Sequence, residues 1–390
     1  MKKIRTSLLN VLIILMSKEQ MHPHPLLRPL WMFPASKTEE KAEEEEEEEE
    51  GAMATPLNKL RILFCGVEFP GAVNHTQQFL KHYPHISIGV WPREEVADKI
   101  ADYDMCVVRM MRLDSAVIAR ATSLKLIVQF GVGLEGVDIE AATRAGIKVA
   151  KIPSAGTGNA LSCAEHSIYL ILSLLRYQKE MAETFEAKRL GGPVGETLYG
   201  KTVLILGYGN IGKELAIRLR PFGVKILAIK RSWTKEVNPL NGYRDGIDNG
   251  DQRIDEKGGI ECLLEFASRA DIIVTCCVLN HETAGIVNRT FLREMKKGAR
   301  LVNVARGGLL DYEAVKEALA SGQLGGLAMD VAWSEPFDPS DPILQYPNVL
   351  ITPHVAGVTE LSYSNMGKII AESAIQLSTG DPMPALEFVN

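Results

Sequence analysis

The sequence predicts an α/β protein made of two parallel-sheet units. Three observations predict it. Short apolar runs alternate with stretches of helical period, the pattern of a parallel sheet covered on both faces. One strand–helix–strand segment encloses the turn Gly207-Tyr208-Gly209-Asn210-Ile211-Gly212. The 390 residues are enough for two domains of ordinary size.

Composition narrows the class. An apolar share of 46% suits a globular protein with a large core. The net charge is −6, and residues 1–50, with seven Lys/Arg against eleven Asp/Glu, carry −4 of it. The remaining body is close to neutral, so charge makes no case for a nucleic-acid partner. The six cysteines lack metal-ligand spacing and mostly sit in apolar runs, as reduced core thiols of an intracellular protein do. No metal is expected.

Residues 1–56 stand apart from the fold. Lys2, Lys3 and Arg5 precede an apolar run at 8–16 that is too short to span a bilayer. Residues 43–50 are eight consecutive glutamates, which repel one another and bury nothing. The segment is expected to be a disordered extension of a cytoplasmic protein with no membrane partner. Two alternatives stay open: an organelle-targeting segment, or a stretch upstream of a working start at Met53.

From residue 61 the elements follow in order. Strands are predicted at 61–65, 86–90, 105–108, 124–129 and 147–150, with helices near 72–82, 94–101, 115–121 and 140–145. This unit has no phosphate-binding turn, so its strand-end loops, such as Phe130-Gly131-Val132-Gly133, are where a ligand would lie. A long helix at 157–176 carries Ala164, Ile168, Leu172 and Leu175 on one face and bridges to the second unit.

There, Val203-Leu204-Ile205-Leu206 reads as a central strand buried on both faces. Ile211, Leu215, Leu219 and Phe222 mark the next helix, Pro221 and Gly223 end it, and 224–229 is the following strand. Gly207 permits the tight turn, Gly209 lets backbone approach a pyrophosphate, and Gly212 lets the helix pack close. The flanking strands and helix are the context that gives the glycine pattern its meaning. Residues 232–259 are polar, rich in Gly and Asp, and read mostly as exposed loop. Later strands fall at 272–275, 301–304, 327–331 and 349–352, with a helix at 313–320. The final helix, 359–378, leaves a tail too short for a domain, which returns to the first unit.

Three late motifs stand at strand ends: Asn303-Val304-Ala305-Arg306-Gly307-Gly308, Asp330-Val331-Ala332-Trp333-Ser334-Glu335-Pro336, and Thr352-Pro353-His354-Val355-Ala356-Gly357. Singly, each has a plain explanation: a surface arginine, a turn, a buried histidine. In this order, with Gly131-Val132-Gly133-Leu134-Glu135-Gly136-Val137-Asp138, Ala141 to Gly146 and Ala164-Glu165, the chain resembles the D-isomer-specific 2-hydroxyacid dehydrogenase family. That family includes glyoxylate/hydroxypyruvate reductases, phosphoglycerate dehydrogenases and D-lactate dehydrogenases. The similarity runs from about Leu60 to Leu377.

The resemblance implies two Rossmann-like or flavodoxin-like parallel-sheet domains, the cofactor domain inserted into the substrate domain, and a site in the cleft. It divides the chain into a substrate domain, 57–157 completed by 356–390, and an NAD(P)-binding domain, 158–355. The catalytic triad falls on Arg306, Glu335 and His354. A guanidinium offers a fork of donors for a 2-keto acid's carboxylate and keto oxygen. His354 is the proton donor in reduction, and Glu335 favours its protonated form. Backbone N–H groups at Val132 and Gly133 join Arg306 in holding the substrate. Cofactor contacts fall on Gly207, Gly209, Asn210, Ile211, Gly212, Cys277, Val304, Ala305, Asp330, Ala356 and Gly357. Cys277 stands where a small hydroxyl residue is often found. A homodimer is also implied.

Cofactor choice departs from the commonest family pattern. An acidic residue usually ends the strand after the glycine-rich helix and accepts from the ribose hydroxyls. Here Lys230 and Arg231 stand there, and two cations attract a 2′-phosphate. The expectation is therefore NADP in preference to NAD. The resemblance implies a hydroxypyruvate/glyoxylate-type 2-keto acid reductase. The alternatives are a 3-phosphoglycerate dehydrogenase-like enzyme and a dinucleotide-sensing co-repressor with the same fold. The short tail predicts no added regulatory domain.

Overall fold

The computed structural model describes residues 59–131, 133–233 and 253–390. The N-terminal extension, Val132 and most of the stretch read as a loop after Ser232 lie outside the described residues.

The first five strands are β1 (Leu60–Cys65), β2 (Ile86–Trp91), β3 (Met105–Val108), β4 (Leu126–Gln129) and β5 (Lys148–Lys151). They pair in parallel, in the order β2-β1-β3-β4-β5. Alternate residues of β1 feed opposite faces, as a period of two demands: Ile62 and Phe64 enter one core, Leu63 and Cys65 the other. Between the strands run α1 (Pro70–Phe79), α2 (Val96–Lys99), α3 (Ser115–Ile118) and α4 (Ile139–Arg144). α3 and α4 begin on Asp114 and Asp138, whose carboxylates accept from the N–H of Val117 at 3.0 Å and of Ala141 at 2.9 Å. Such caps cover donors that a helix start leaves bare. Strand order reverses beside β1, which places a crevice at the carboxyl ends of β1 and β3.

α5 (Asn159–Leu175) carries the chain across and buries Leu170, Ile171 and Leu174 against the second sheet. α6 (Gln178–Glu186) follows. It is mostly exposed, Met181 and Phe185 included. The second sheet comprises β6 (Thr202–Leu206), β7 (Lys225–Ile229), β8 (Glu256–Gly258), β9 (Ile272–Thr275), β10 (Ala299–Asn303), β11 (Leu324–Met329) and β12 (Val349–Ile351). All pair in parallel, in the order β12-β11-β10-β9-β6-β7-β8. Within the stretch read mostly as loop, 232–259, Glu256, Lys257 and Gly258 form an edge strand on β7. An edge strand needs no apolar run, because only one side of its backbone is paired.

The helices of this unit are α7 (Asn210–Leu219), α8 (Leu263–Arg269), α9 (Arg289–Glu294) and α10 (Tyr312–Ala320). Val203 and Ile205 face α5 and α7, whereas Leu204 and Leu206 face the core that α8, α9 and α10 cover. The chain then returns. α11 (Glu360–Thr379) sets Tyr363, Met366 and Ile370 into the first sheet's core, beside Ala72 and Val73 of α1. β13 (Glu387–Phe388) pairs antiparallel to β5, with Glu387 opposite Lys151. The second sheet is thus an insertion between two parts of the first. Among the described residues, no helix is long and apolar enough to cross a membrane.

The reversal of the second sheet falls between β6 and β9. Gly207 stands there at φ +107, and a Cβ on it would press on the backbone of Cys277. Backbone strain of this kind costs about 1–3 kcal/mol. Gly207→Ala should therefore melt several degrees lower, by roughly 2–4 °C for each kcal/mol. Thermal unfolding of parent and variant checks this, and an equal midpoint would show slack in the turn.

Candidate active site

The strand ends of both sheets bring the predicted residues together. β10 ends on Asn303, which is fully buried. Its Oδ1 accepts from Thr275 Oγ1 at 2.7 Å and from the Ala305 N–H at 3.0 Å, and its Nδ2 donates to the Arg306 carbonyl at 2.8 Å. One amide therefore folds Val304 and Ala305 inward and fixes where Arg306 begins. The Arg306 Nη1 donates to the Ala305 carbonyl at 2.7 Å, and its Nε donates to Glu135 Oε1 at 3.2 Å. Glu135 belongs to the first unit, so this pair crosses between the two sheets. Gly133 lies beneath it: a Cβ there would collide with the Arg306 guanidinium and with the Glu135 carboxylate. Val132, predicted beside Gly133, lies outside the described residues.

His354 and Glu335 meet as expected. His354 Nδ1 is 2.9 Å from Glu335 Oε2, and Glu335 Oε1 accepts from the Ala332 N–H at 2.9 Å. Both carboxylate oxygens are thus held. Burial pushes the Glu335 carboxyl up. The hydrogen bond and charge of His354, the Ala332 N–H and the charge of Arg306 outweigh it and bring the carboxyl below its usual value. His354 itself adopts φ +56, a left-handed conformation that costs a non-glycine residue energy. Its N–H donates to the Thr352 carbonyl at 2.9 Å, closing a tight turn over Pro353.

Asp330 holds that turn from below. Its side chain is 1% exposed. Oδ1 accepts from Thr352 Oγ1 at 2.5 Å and from the Val355 N–H at 2.9 Å, and Oδ2 accepts from the Ala356 N–H at 2.7 Å. Burial acts to raise its pKa, but bonds from His166, Thr352 and the two N–H groups bring it below the ordinary value. Asp330 is predicted to contact a cofactor. In the structure its carboxylate is first of all an internal clamp.

The remaining predicted residues line the turn at β6 and its surroundings. A Cβ on Gly209 would meet nothing within 4 Å, and no side chain caps the start of α7. That leaves open space and free N–H groups for a pyrophosphate. Gly212 sits close over the Gly207 carbonyl. Asn210 Nδ2 is engaged with Ser154 Oγ at 3.0 Å, while Ile211 packs against the β6 core. Burial pushes the Cys277 thiol up to about 11, so it is a neutral, weakly polar neighbour of the turn. Gly357 lies against the Asn159 side chain. Lys230 and Arg231 follow β7: Lys230 Nζ is 6.0 Å from the centroid of the Trp233 ring, and Arg231 Nη1 is 3.9 Å from Glu282 Oε2.

The geometry agrees with comparisons to known proteins. Residues 168–356 match the model of the D-isomer specific 2-hydroxyacid dehydrogenase NAD-binding domain. Glyoxylate reductase of Thermofilum pendens is 34% identical over 308 residues, which span 76% of this chain and 85% of that protein. The chain belongs to the D-isomer-specific 2-hydroxyacid dehydrogenase family. D-3-phosphoglycerate dehydrogenase of Archaeoglobus fulgidus is 33% identical over 300 residues, covering 75% of this chain and 52% of that protein. The chain thus spans about half the length of the phosphoglycerate dehydrogenases it matches. A solved structure of the pyruvate reductase of Chlamydomonas reinhardtii superposes with a TM-score of 0.69 at 26% identity, over 84% of this chain and 98% of that one.

The structure adds residues that the sequence did not single out. Glu135 and Asn303 stood inside quoted motifs without a role, and only contacts reveal one. Arg109 follows directly on β3, at the crevice of the first sheet. Its guanidinium carbon lies 3.9 Å from the centroid of the Phe69 ring, and its Nη1 has no hydrogen-bond partner among the described residues. Burial lowers its pKa to about 10, against the charges of Asp330, Cys163 and Glu335, which raise it.

Gly133→Ala is an informative variant. The colliding atoms are the ends of two flexible side chains, so the fold can yield at small cost. The Arg306 guanidinium would move instead. Turnover of a 2-keto acid should fall, since a displacement of about 1 Å can cost 10²-fold, while the melting temperature stays near the parent's. Kinetics and thermal unfolding on one preparation check both halves.

Proposed function

We propose that this chain is an NADPH-preferring reductase of small 2-keto acids, most like hydroxypyruvate and glyoxylate reductases. The pairing of His354 with Glu335, beside Arg306 and among residues that match a family of dehydrogenases, carries the reading. A nicotinamide cofactor, when bound, supplies the hydride. Arg306 takes the substrate carboxylate and keto oxygen in its fork, leaving Glu135. It stabilises the negative charge that grows on that oxygen. His354, with Nδ1 turned to Glu335, has Nε2 left to give the oxygen a proton. Glu335 balances the charge of the protonated ring and holds its orientation.

Two observations support the finer choices. Arg109 Nη1, buried and unpartnered among the described residues, favours a substrate with a polar group at C3, as hydroxypyruvate has. Lys230 and Arg231 at the end of β7 favour a 2′-phosphate, and the Arg231 side chain is 85% exposed and open to one. A homodimer remains the expected assembly.

The direct test is a panel of 2-keto acids with NADPH and then NADH. Hydroxypyruvate with NADPH should give the highest kcat/KM, and no turnover of any acid would reject the reading. Arg306→Lys keeps the charge but loses the fork, so most turnover should vanish. His354→Ala should still titrate with NADPH but reduce keto acids about 10²–10⁴-fold more slowly. Parental rates in either variant would remove that residue from the mechanism.

The cofactor proposal has its own test. Lys230→Asp with Arg231→Ile should cost NADPH about tenfold or more in kcat/KM. One charge-assisted bond contributes roughly 1.5–3 kcal/mol, and 1.4 kcal/mol is tenfold. The measurement compares both cofactors at fixed salt. A parent that prefers NADH, or a variant with the parental ratio, would reject the NADP preference and leave the reductase standing.

A further inference from the structure

We propose that His166 is a positioning residue for His354, acting through Thr352 and Asp330. The inference rests on the reductase reading above. His166 lies on α5 and does not touch His354. Its Nε2 is 3.0 Å from Thr352 Oγ1 and 3.4 Å from Asp330 Oδ1, with the side chain 17% exposed.

The partners decide where its proton sits. Asp330 is held ionised, so its oxygens only accept. The Thr352 hydroxyl gives its one hydrogen to Asp330 Oδ1 at 2.5 Å. Toward His166 that hydroxyl therefore offers lone pairs. Both neighbours of Nε2 are acceptors, and Nε2 carries the hydrogen. His166 thus completes a chain of donors, from imidazole to hydroxyl to carboxylate.

That chain ends on both sides of His354. Thr352 precedes it, and Val355 and Ala356, whose N–H groups Asp330 holds, follow it. The histidine between them is kept at φ +56. Without the His166 donor, the Thr352 hydroxyl loses the partner that fixes its rotation. A second acceptor, the Met329 carbonyl, already lies 3.4 Å away. Once turned to it, Thr352 no longer donates to Asp330, the buried carboxylate loses two donors, and the 352–356 turn loosens.

The experiment compares His166→Leu, which removes the donor, with His166→Gln, whose amide places an N–H near the Nε2 position. His166→Leu should lower kcat about tenfold or more, within the roughly 10²-fold that a 1 Å misplacement can cost. KM for keto acid and for cofactor should stay within about twofold. His166→Gln should recover most of kcat. Hydrogen exchange read by mass spectrometry gives a readout that needs no activity: the Val355 and Ala356 amides should exchange faster in the Leu variant and return toward the parent in the Gln variant. This exchange pattern with no keto-acid turnover in the parent would support the positioning contact and reject the reductase reading. Three results would overturn the proposal: parental kcat and protection in the Leu variant, equal damage in both variants, or a rise in cofactor KM with kcat retained.

Discussion

The Asp330 carboxylate is the contact on which the candidate site depends. A buried charge is costly unless donors surround it. Here two backbone N–H groups, a hydroxyl and an imidazole do so. They come from α5 and from the turn that follows β12, and Asp330 itself directly follows β11. The cost of burial is thus spread over three elements, which must assemble together. The neighbouring strand β10 uses the same device in neutral form. Asn303 is buried, fully bonded and tied to the turn that starts Arg306. Two adjacent strand ends therefore each place one polar side chain in the interior and lead into a turn that carries a candidate site residue.

The sheets supply the frame for this. Apart from the antiparallel edge strand β13, both are parallel, and each reverses strand order once, so each offers a crevice at its carboxyl edge. In the second sheet the crevice holds the glycine turn. In the first it holds Gly66 and Arg109. The return of α11 and β13 to the first sheet ties both ends of the insertion to one body. The residues flanking His354 thus run straight into a helix that packs on α1.

Much of this was legible in the sequence, for physical reasons. Central parallel strands are buried on both faces, so β3, β6 and β9 read as unbroken apolar runs and fall where expected. The glycine turn is legible because its three glycines answer three separate steric demands. Arg306, Glu335 and His354 are legible only jointly, through order and spacing. What escaped has no apolar run. β8 is an edge strand of polar residues, α9 is one and a half turns long, and α6 is largely exposed. His166 and Glu135 escaped for another reason. Their roles lie in contacts across 186 and 171 positions of chain, which no local pattern encodes.

The pairing of Arg306 with Glu135 has a consequence for how a ligand arrives. In the structure the guanidinium already holds a carboxylate, at 3.2 Å, contributed by the opposite unit. Under the proposed function, substrate uptake is an exchange of one anion for another at the same cation. Salt screens the outgoing pair and the incoming pair alike. Affinity for a keto acid should then vary little with ionic strength, and the departing Glu135 carries its negative charge back to the rim. A substrate with a second negative charge would meet that carboxylate on the way in. Under that reading the latch between the two units would also filter ligands by charge.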